Sequence, residues 1–127
     1  MPAINRLFVN LCSEHLSASK DFYTRLFGFE VNFDSDWFVQ LRSSNGQFEL
    51  GIIDKHHQLV PAAHQQDPRG FYLTFVVEDV EELYTLAQQY AYVVVQAPED
   101  TFYGQRRMLL EDPNGALVDV SSLIKTS

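Results

Sequence analysis

The chain has 127 residues, of which 46% are hydrophobic, so it is long and apolar enough for one folded domain with its own core. Its formal net charge of −8 argues against nucleic-acid binding, which needs clustered Lys and Arg, and suits a cationic ligand. The single Cys12 excludes an internal disulfide. With no leader-like segment and no long apolar run, we expect a cytoplasmic protein that does not contact a membrane.

Alternation and turn chemistry predict four strands and one helix in the first half of the chain. Ser17 is the predicted N-cap of the helix, and Gly28 is its predicted stop. Asn45-Gly46 predicts a hairpin between the last two strands of this half. The predicted strands are 6–12, 29–33, 37–42 and 48–53.

Residues 54–69 hold three of the four histidines and two prolines, which is typical of a polar linker whose histidines are solvated. The same order of elements then repeats. Asp79, with Glu82 three residues later, predicts a capping box at the start of a second helix. Asp112-Pro113-Asn114-Gly115 predicts the final hairpin, because Pro presets φ and Gly accepts a positive φ. The predicted strands of this half are 71–77, 92–96, 105–111 and a closing strand from residue 117.

The two faces of the predicted strands differ in composition. One face is wholly apolar, and we expect the helices to cover it. It comprises Leu7, Val9, Leu11, Phe48, Leu50, Ile52, Leu73, Phe75, Val77, Val118 and Val120. The other face mixes carboxylates, small polar groups and aromatics, which favours a concave ligand surface over a solvated one. It comprises Phe8, Asn10, Cys12, Glu49, Gly51, Ile53, Tyr72, Thr74, Val76, Leu117, Asp119 and Ser121.

Several short motifs follow one another along nearly the whole chain, on a duplicated β-α-β-β-β pattern. They are Ser19-Lys20-Asp21-Phe22-Tyr23 with Leu26-Phe27-Gly28-Phe29, then Val77-Glu78-Asp79-Val80, Tyr103-Gly104, and Asp112-Pro113-Asn114-Gly115 with Asp119. In this order they resemble the glyoxalase / bleomycin-resistance / extradiol dioxygenase superfamily, also called vicinal oxygen chelate proteins.

The resemblance implies an α+β fold, with tandem β-α-β-β-β modules forming curved mixed sheets around a concave cleft. We therefore predict a single domain over residues 1–127, built from module 1 (1–53), the linker 54–69 and module 2 (70–127). The resemblance also implies a homodimer, because the cavity in this superfamily often forms between two chains.

Enzymes of this superfamily hold a divalent metal with four side chains, typically His, Glu, His and Glu. The resemblance places Phe8 and Tyr72 at the two histidine positions, and Glu49 and Asp119 at the two acidic positions. Because both imidazoles are missing, we expect no metal and no other cofactor. The alternative is a divalent metal held by the two carboxylates.

A ligand surface of this composition offers aromatic rings for stacking and acids for a cation or for general-base work. Alternation also places either Arg106 or Arg107 on the ligand side, where it pairs with an acid or holds an anion. The predicted ligand-binding residues are Phe8, Asn10, Trp37, Glu49, Tyr72, Thr74, Arg106 and Asp119.

These features favour a binding protein for a planar or cationic small molecule, of the drug-binding or resistance kind, over an enzyme. The first alternative is a metal-dependent lyase, isomerase or dioxygenase of the same superfamily with a degenerate ligand set. The second is an effector-sensing or partner-binding module without chemistry. Fold alone does not choose between them, because one fold supports many functions.

Overall fold

The computed structural model describes residues 2–124, which divide into two compact units with their boundary between Pro68 and Arg69. Within these residues, each unit contains one α-helix and one four-stranded mixed sheet. The α+β prediction is therefore confirmed. No helix in this part of the chain combines the length and apolarity needed to cross a membrane.

In the first unit, the last strand lies between the first and the third. The strand order is β1-β4-β3-β2, with β1 parallel to β4 and the other neighbours antiparallel. A short 3₁₀ helix, Ala62–His64, follows in the segment that the sequence predicts to be a linker. The elements are β1 (Val9–Ser13), α1 (Leu16–Phe27), β2 (Glu30–Asp34), β3 (Phe38–Arg42) and β4 (Glu49–Asp54).

The second unit repeats this arrangement. Its strand order is β5-β8-β7-β6, again with the first and last strands parallel and adjacent. The elements are β5 (Leu73–Val76), α2 (Val80–Gln89), β6 (Val93–Asp100), β7 (Gln105–Glu111) and β8 (Leu117–Leu123).

One face of each sheet packs against the helix of its own unit, as the apolar pattern predicts. Leu11 and Ile52 are buried on this face in the first unit, and Val120 is buried in the second. Leu7 and Phe48 differ from the prediction, since they are 79% and 61% exposed. Both precede their strands, and alternation assigns a face only to residues inside a strand.

The predicted hairpin at Asp112 is confirmed, and its aspartate holds the turn together. Asp112 Oδ1 accepts hydrogen bonds from the backbone N–H groups of Asn114 at 2.8 Å and Ala116 at 2.9 Å. Gly115 has φ +78°, the left-handed conformation that the sequence assigns to it. The turn thus satisfies its own backbone donors and sets the register of β7 against β8.

The helix starts were predicted with mixed success. Asp79 caps α2, accepting from the Glu81 N–H at 3.0 Å. The prediction of Ser17 as the α1 cap is wrong, because the helix begins at Leu16. The polar partner there is Ser13, whose hydroxyl accepts from the His15 N–H at 2.8 Å.

Strand β6 extends to Asp100, whereas the sequence predicts a loop from residue 97. Register shifts between Val94 and Gln96, and between Gln96 and Glu99, interrupt its pairing with β7. Such bulges shift the alternation on which strand prediction depends, so alternation does not predict the second part of this strand.

Candidate functional site

The first unit has a cavity of about 450 Å³ on the sheet face opposite α1. Side chains of its strands form the floor, and three residues that follow β4 form a wall. The surface is mainly apolar and aromatic, a composition typical of small-molecule sites. The lining residues are Phe8, Asn10, Cys12, Trp37, Phe38, Ile53, Leu59, Val60 and Pro61.

Gly51 leaves room on this floor for the side chain of Asn10. It lies on β4 between its register partners Asn10 and Gln40. A Cβ at this position would overlap Asn10 Oδ1 and come within 3.0 Å of the Phe38 ring. Within residues 2–124 the Asn10 side chain makes no hydrogen bond, so its amide has both a donor and an acceptor for a bound molecule.

The wall of the cavity comes from the segment that the sequence predicts to be a polar linker. The His57 ring stacks on Trp37, with 4.0 Å between ring centroids and 14° between ring planes. His57 Nδ1 also accepts the Leu59 N–H at 3.1 Å, which fixes the start of the wall. His57 is therefore half-buried and structural, whereas we expected the linker histidines to be solvated.

Glu49 is the first residue of β4, on the same face of the sheet, and it is bound to an arginine. Arg6 donates from Nε to Oε2 at 2.6 Å and from Nη2 to Oε1 at 2.5 Å, and Gln40 Nε2 donates to Oε1 at 3.2 Å. The hydrogen bonds from Arg6 are the main reason why the pKa of Glu49 is lowered. The Arg6 guanidinium also lies 4.8 Å from the centre of the Phe8 ring.

Asp119, on the open face of the second sheet, is buried and fully engaged. Three donors reach it: Thr74 Oγ1 at 2.9 Å, Ser121 Oγ at 3.0 Å and Arg107 Nε at 3.1 Å. Tyr72 belongs to the same unit and is half exposed. The carboxylate is thus the centre of a polar network.

Arg106 does not lie beside Asp119, which corrects the choice made from the sequence. Its side chain pairs with Glu81 of α2 at 2.5 Å and with Asp100 at 3.0 Å. The register places Arg107 opposite Ser121 on the open face. Alternation establishes that neighbouring arginines point to opposite faces, but it does not tell which one points to the ligand side.

The structure thus brings Phe8, Asn10 and Trp37 together around one cavity, whereas Glu49 lines a second cavity of the same unit. Tyr72, Thr74 and Asp119 belong to the other unit. The sequence analysis missed Arg6 and the wall residues. Arg6 precedes β1, where alternation assigns no face, so no periodic signal marks it. No periodic signal marks the wall.

Two tandem β-α-β-β-β units, each with a helix-covered face and an open face, define a class of fold built by duplication. The chain belongs to the Glyoxalase/Bleomycin resistance protein/Dioxygenase superfamily, whose family model matches residues 4–120. The resemblance inferred from the motifs is confirmed. No curated protein sequence matches the chain.

Solved structures of the same superfamily share the fold. A glyoxalase/bleomycin resistance protein/dioxygenase family enzyme from Burkholderia phytofirmans PsJN is 24% identical, with a TM-score of 0.78 over 92% of this chain and 97% of that one. TnmS3, an antibiotic binding protein from Streptomyces sp. CB03234, is 20% identical, with a TM-score of 0.75 over 98% and 100%. TioX from Micromonospora sp. ML1 is 19% identical, with a TM-score of 0.70 over 97% and 99%.

The pairing of Glu49 with Arg6 predicts a pH-dependent stability. Because the pKa of Glu49 is lowered in the folded state, mainly by its hydrogen bonds from Arg6, the pair stabilises the protein above the ordinary glutamate pKa. This contribution is lost as the pH falls through the folded-state pKa. We expect the melting temperature of Glu49→Gln to lie below wild type at neutral pH, with a gap that narrows in acid.

Thermal unfolding, followed by circular dichroism from neutral pH into acid, measures the difference in melting temperature between the variant and wild type. Glu111→Gln is the matched control, since the side chain of Glu111 is exposed and makes no hydrogen bond or ion pair among residues 2–124. A gap for Glu49→Gln that stays constant into strong acid would contradict the assignment.

Proposed function

We propose that this chain is a binding protein for a planar, mainly apolar small molecule, held in the cavity of the first unit without a metal or other cofactor. The observation that carries this proposal is the cavity of about 450 Å³, which combines aromatic rings with a single unpartnered amide. Apolar concave sites with a few placed polar groups are the usual form of a small-molecule site.

The shape of the ligand follows from the rings and the amide. Phe8, Trp37 and Phe38 line the cavity, and aromatic faces favour stacking or edge contacts with another flat ring system. Asn10 offers one carbonyl acceptor and two N–H donors, so it suits a polar edge on the ligand. A planar, drug-like molecule with one hydrogen-bonding edge satisfies both.

A cationic ligand, which the acidic residues suggested, receives less support from the contacts. Glu49 already binds Arg6, and Asp119 already binds Arg107. A cation would have to compete with a guanidinium for each carboxylate. We therefore propose that the ligand is not recognised through a positive charge.

The same contacts support binding without a metal. Phe8 has no lone pair to donate, and the carboxylates of Glu49 and Asp119 are engaged by arginines. Among residues 2–124, no group of three or more His, Cys, Asp or Glu side chains is arranged to hold a metal ion. The residues at the metal positions of the superfamily therefore do not fit a divalent ion. TnmS3, an antibiotic binding protein of the same fold, supports small-molecule binding on this scaffold.

Gly51→Ala tests the cavity directly. The added Cβ should push the Asn10 amide and the Phe38 ring into the space that the ligand occupies. We expect the affinity for the neutral probe 3-(2-naphthyl)propanamide, measured by calorimetry, to fall about tenfold or more, since one misplaced methylene costs that much in a tight pocket. Thermal unfolding checks that the variant remains folded.

The double variant Asn10→Ala/Gly51→Ala is the matched control. It removes the side chain with which the new Cβ overlaps, so part of the affinity should return. Equal binding by wild type and Gly51→Ala would overturn the site. If the amide, the corresponding carboxylate and the corresponding amine all fail to bind, the proposed function is wrong.

A metal titration tests the cofactor proposal. Chelator-treated protein is titrated with Zn²⁺, Ni²⁺, Mn²⁺ and Fe²⁺ in a calorimeter, with elemental analysis of the protein as purified. We expect no tight uptake of one ion per chain, because the donor set lacks imidazoles. Tight uptake that disappears in Glu49→Gln/Asp119→Asn would contradict metal-free binding and would favour the metal-dependent alternative, which assays of lyase, isomerase and dioxygenase activity would then test.

We also propose a homodimer, as membership of the superfamily suggests. Large apolar side chains remain outside the cores of the units, including Leu7 at 79% exposure and Phe102 at 100%, so a second copy has apolar surface to bury. Sedimentation velocity should give twice the mass of the chain. A monomer at every protein concentration would contradict this proposal.

A further inference from the structure

We propose that the ligand carries a carboxylate, and that Arg42 binds it in a second cavity of the same unit. This inference rests on the proposed function, because it assumes that the aromatic cavity holds the body of the ligand. It adds the chemical class of the molecule, an aromatic acid, which the superfamily assignment does not supply.

The second cavity has a volume of about 370 Å³ and lies in the same unit, near the turn that joins β3 and β4. Its charged groups are two guanidiniums, from Arg6 and Arg42, and the carboxylate of Glu49. Asn5, Asn32 and Gln47 add further polar groups to the lining. The balance of charge in this cavity is therefore positive, although the chain as a whole is acidic.

Arg42 is the group available for a ligand. Among residues 2–124 its guanidinium forms no hydrogen bond or ion pair, although its register partner across the strands is Glu49. The pair does not form because Arg6 and Gln40 already occupy that carboxylate. A Cβ at residue 46 would lie 3.1 Å from Arg42 Nη2, so Gly46 leaves room for the guanidinium there.

One residue of the aromatic cavity, Phe8, lies close to a residue of the second cavity. This ring lines the aromatic cavity, and Arg6, which lines the second cavity, lies 4.8 Å from its centre. On β3, Phe38 and Arg42 lie on the same face four residues apart, about 13 Å along the strand. A molecule with a flat ring system and a short acidic arm would span from one cavity to the other.

A carboxylate matches the guanidinium of Arg42 better than other polar groups do. The planar guanidinium fork binds carboxylates with two parallel hydrogen bonds. The acids elsewhere on the chain oppose this only weakly, since salt screens charges beyond about 10 Å. Arg42, whose guanidinium forms no ion pair among residues 2–124, therefore determines which charge is accepted.

The test compares three probes of one shape by calorimetry at about 0.1 M salt, where the distant acids are screened: 3-(2-naphthyl)propanoate, 3-(2-naphthyl)propanamide and 3-(2-naphthyl)propylammonium. We expect wild type to bind the propanoate about tenfold or more tightly than the amide, because a charge-assisted hydrogen bond contributes that much. Arg42→Gln should abolish this preference, because it should lower the affinity for the propanoate by more than it lowers the affinity for the amide.

Arg25→Gln is the matched control, because it removes the same charge from the last turn of α1, on the covered side of the sheet. It should keep the preference for the propanoate. If the amide binds and depends on Gly51, but the propanoate binds no more tightly, the inference fails while the proposed function stands. Tightest binding of the propylammonium, or a preference that survives Arg42→Gln, also overturns it. If none of the probes binds, the proposed function fails first.

Discussion

A carboxylate bound by an arginine lies on the open face of each sheet, and the chemistry of both faces depends on these two pairs. Glu49 binds Arg6 in the first unit, and Asp119 binds Arg107 in the second. Both acids stand on the last strand of their unit, which lies between two other strands, so neighbours on both sides can reach them. Burying an unpaired carboxylate is costly, and each pair removes that cost. The carboxylates of Glu49 and Asp119 therefore add no unpaired negative charge to the open faces, although the chain carries a net charge of −8.

The two units share one topology but differ at the centre of the open face. Gly51 pairs with Asn10 in the first unit just as Asp119 pairs with Thr74 in the second, so Gly51 and Asp119 occupy the same position. The glycine leaves room for the side chain of Asn10, which lines the cavity, whereas the aspartate fills the position and binds its neighbours. By the same register, the counterpart of Glu49 is Leu117 rather than Asp119. The two acids that the sequence suggested as a matched pair are therefore not equivalent.

The sequence predicts the fold of the two units better than it predicts the residues of the site. Turn chemistry at Asp112 and the repeated pattern predicted the fold class, because local signals determine hairpins and helix ends. Alternation could not choose between Arg106 and Arg107, since it gives relative faces and not the absolute one. The loop between β3 and β4 is one residue longer than the loop between β7 and β8, so aligning the two Asn-Gly turns displaces the strands by one position. Register therefore had to come from the structure.

The cavity has two kinds of boundary with different physical properties. Its floor consists of strand residues such as Gly51, held by the hydrogen bonds of the sheet. Its wall, Leu59 to Pro61, belongs to a connecting segment and is positioned by the stacking of His57 on Trp37. Residues in connecting segments change more freely than those in strands, both in conformation and in sequence. Under the proposed function, the strand floor provides a fixed surface for the ligand, and the wall is the boundary of the cavity that can change more readily.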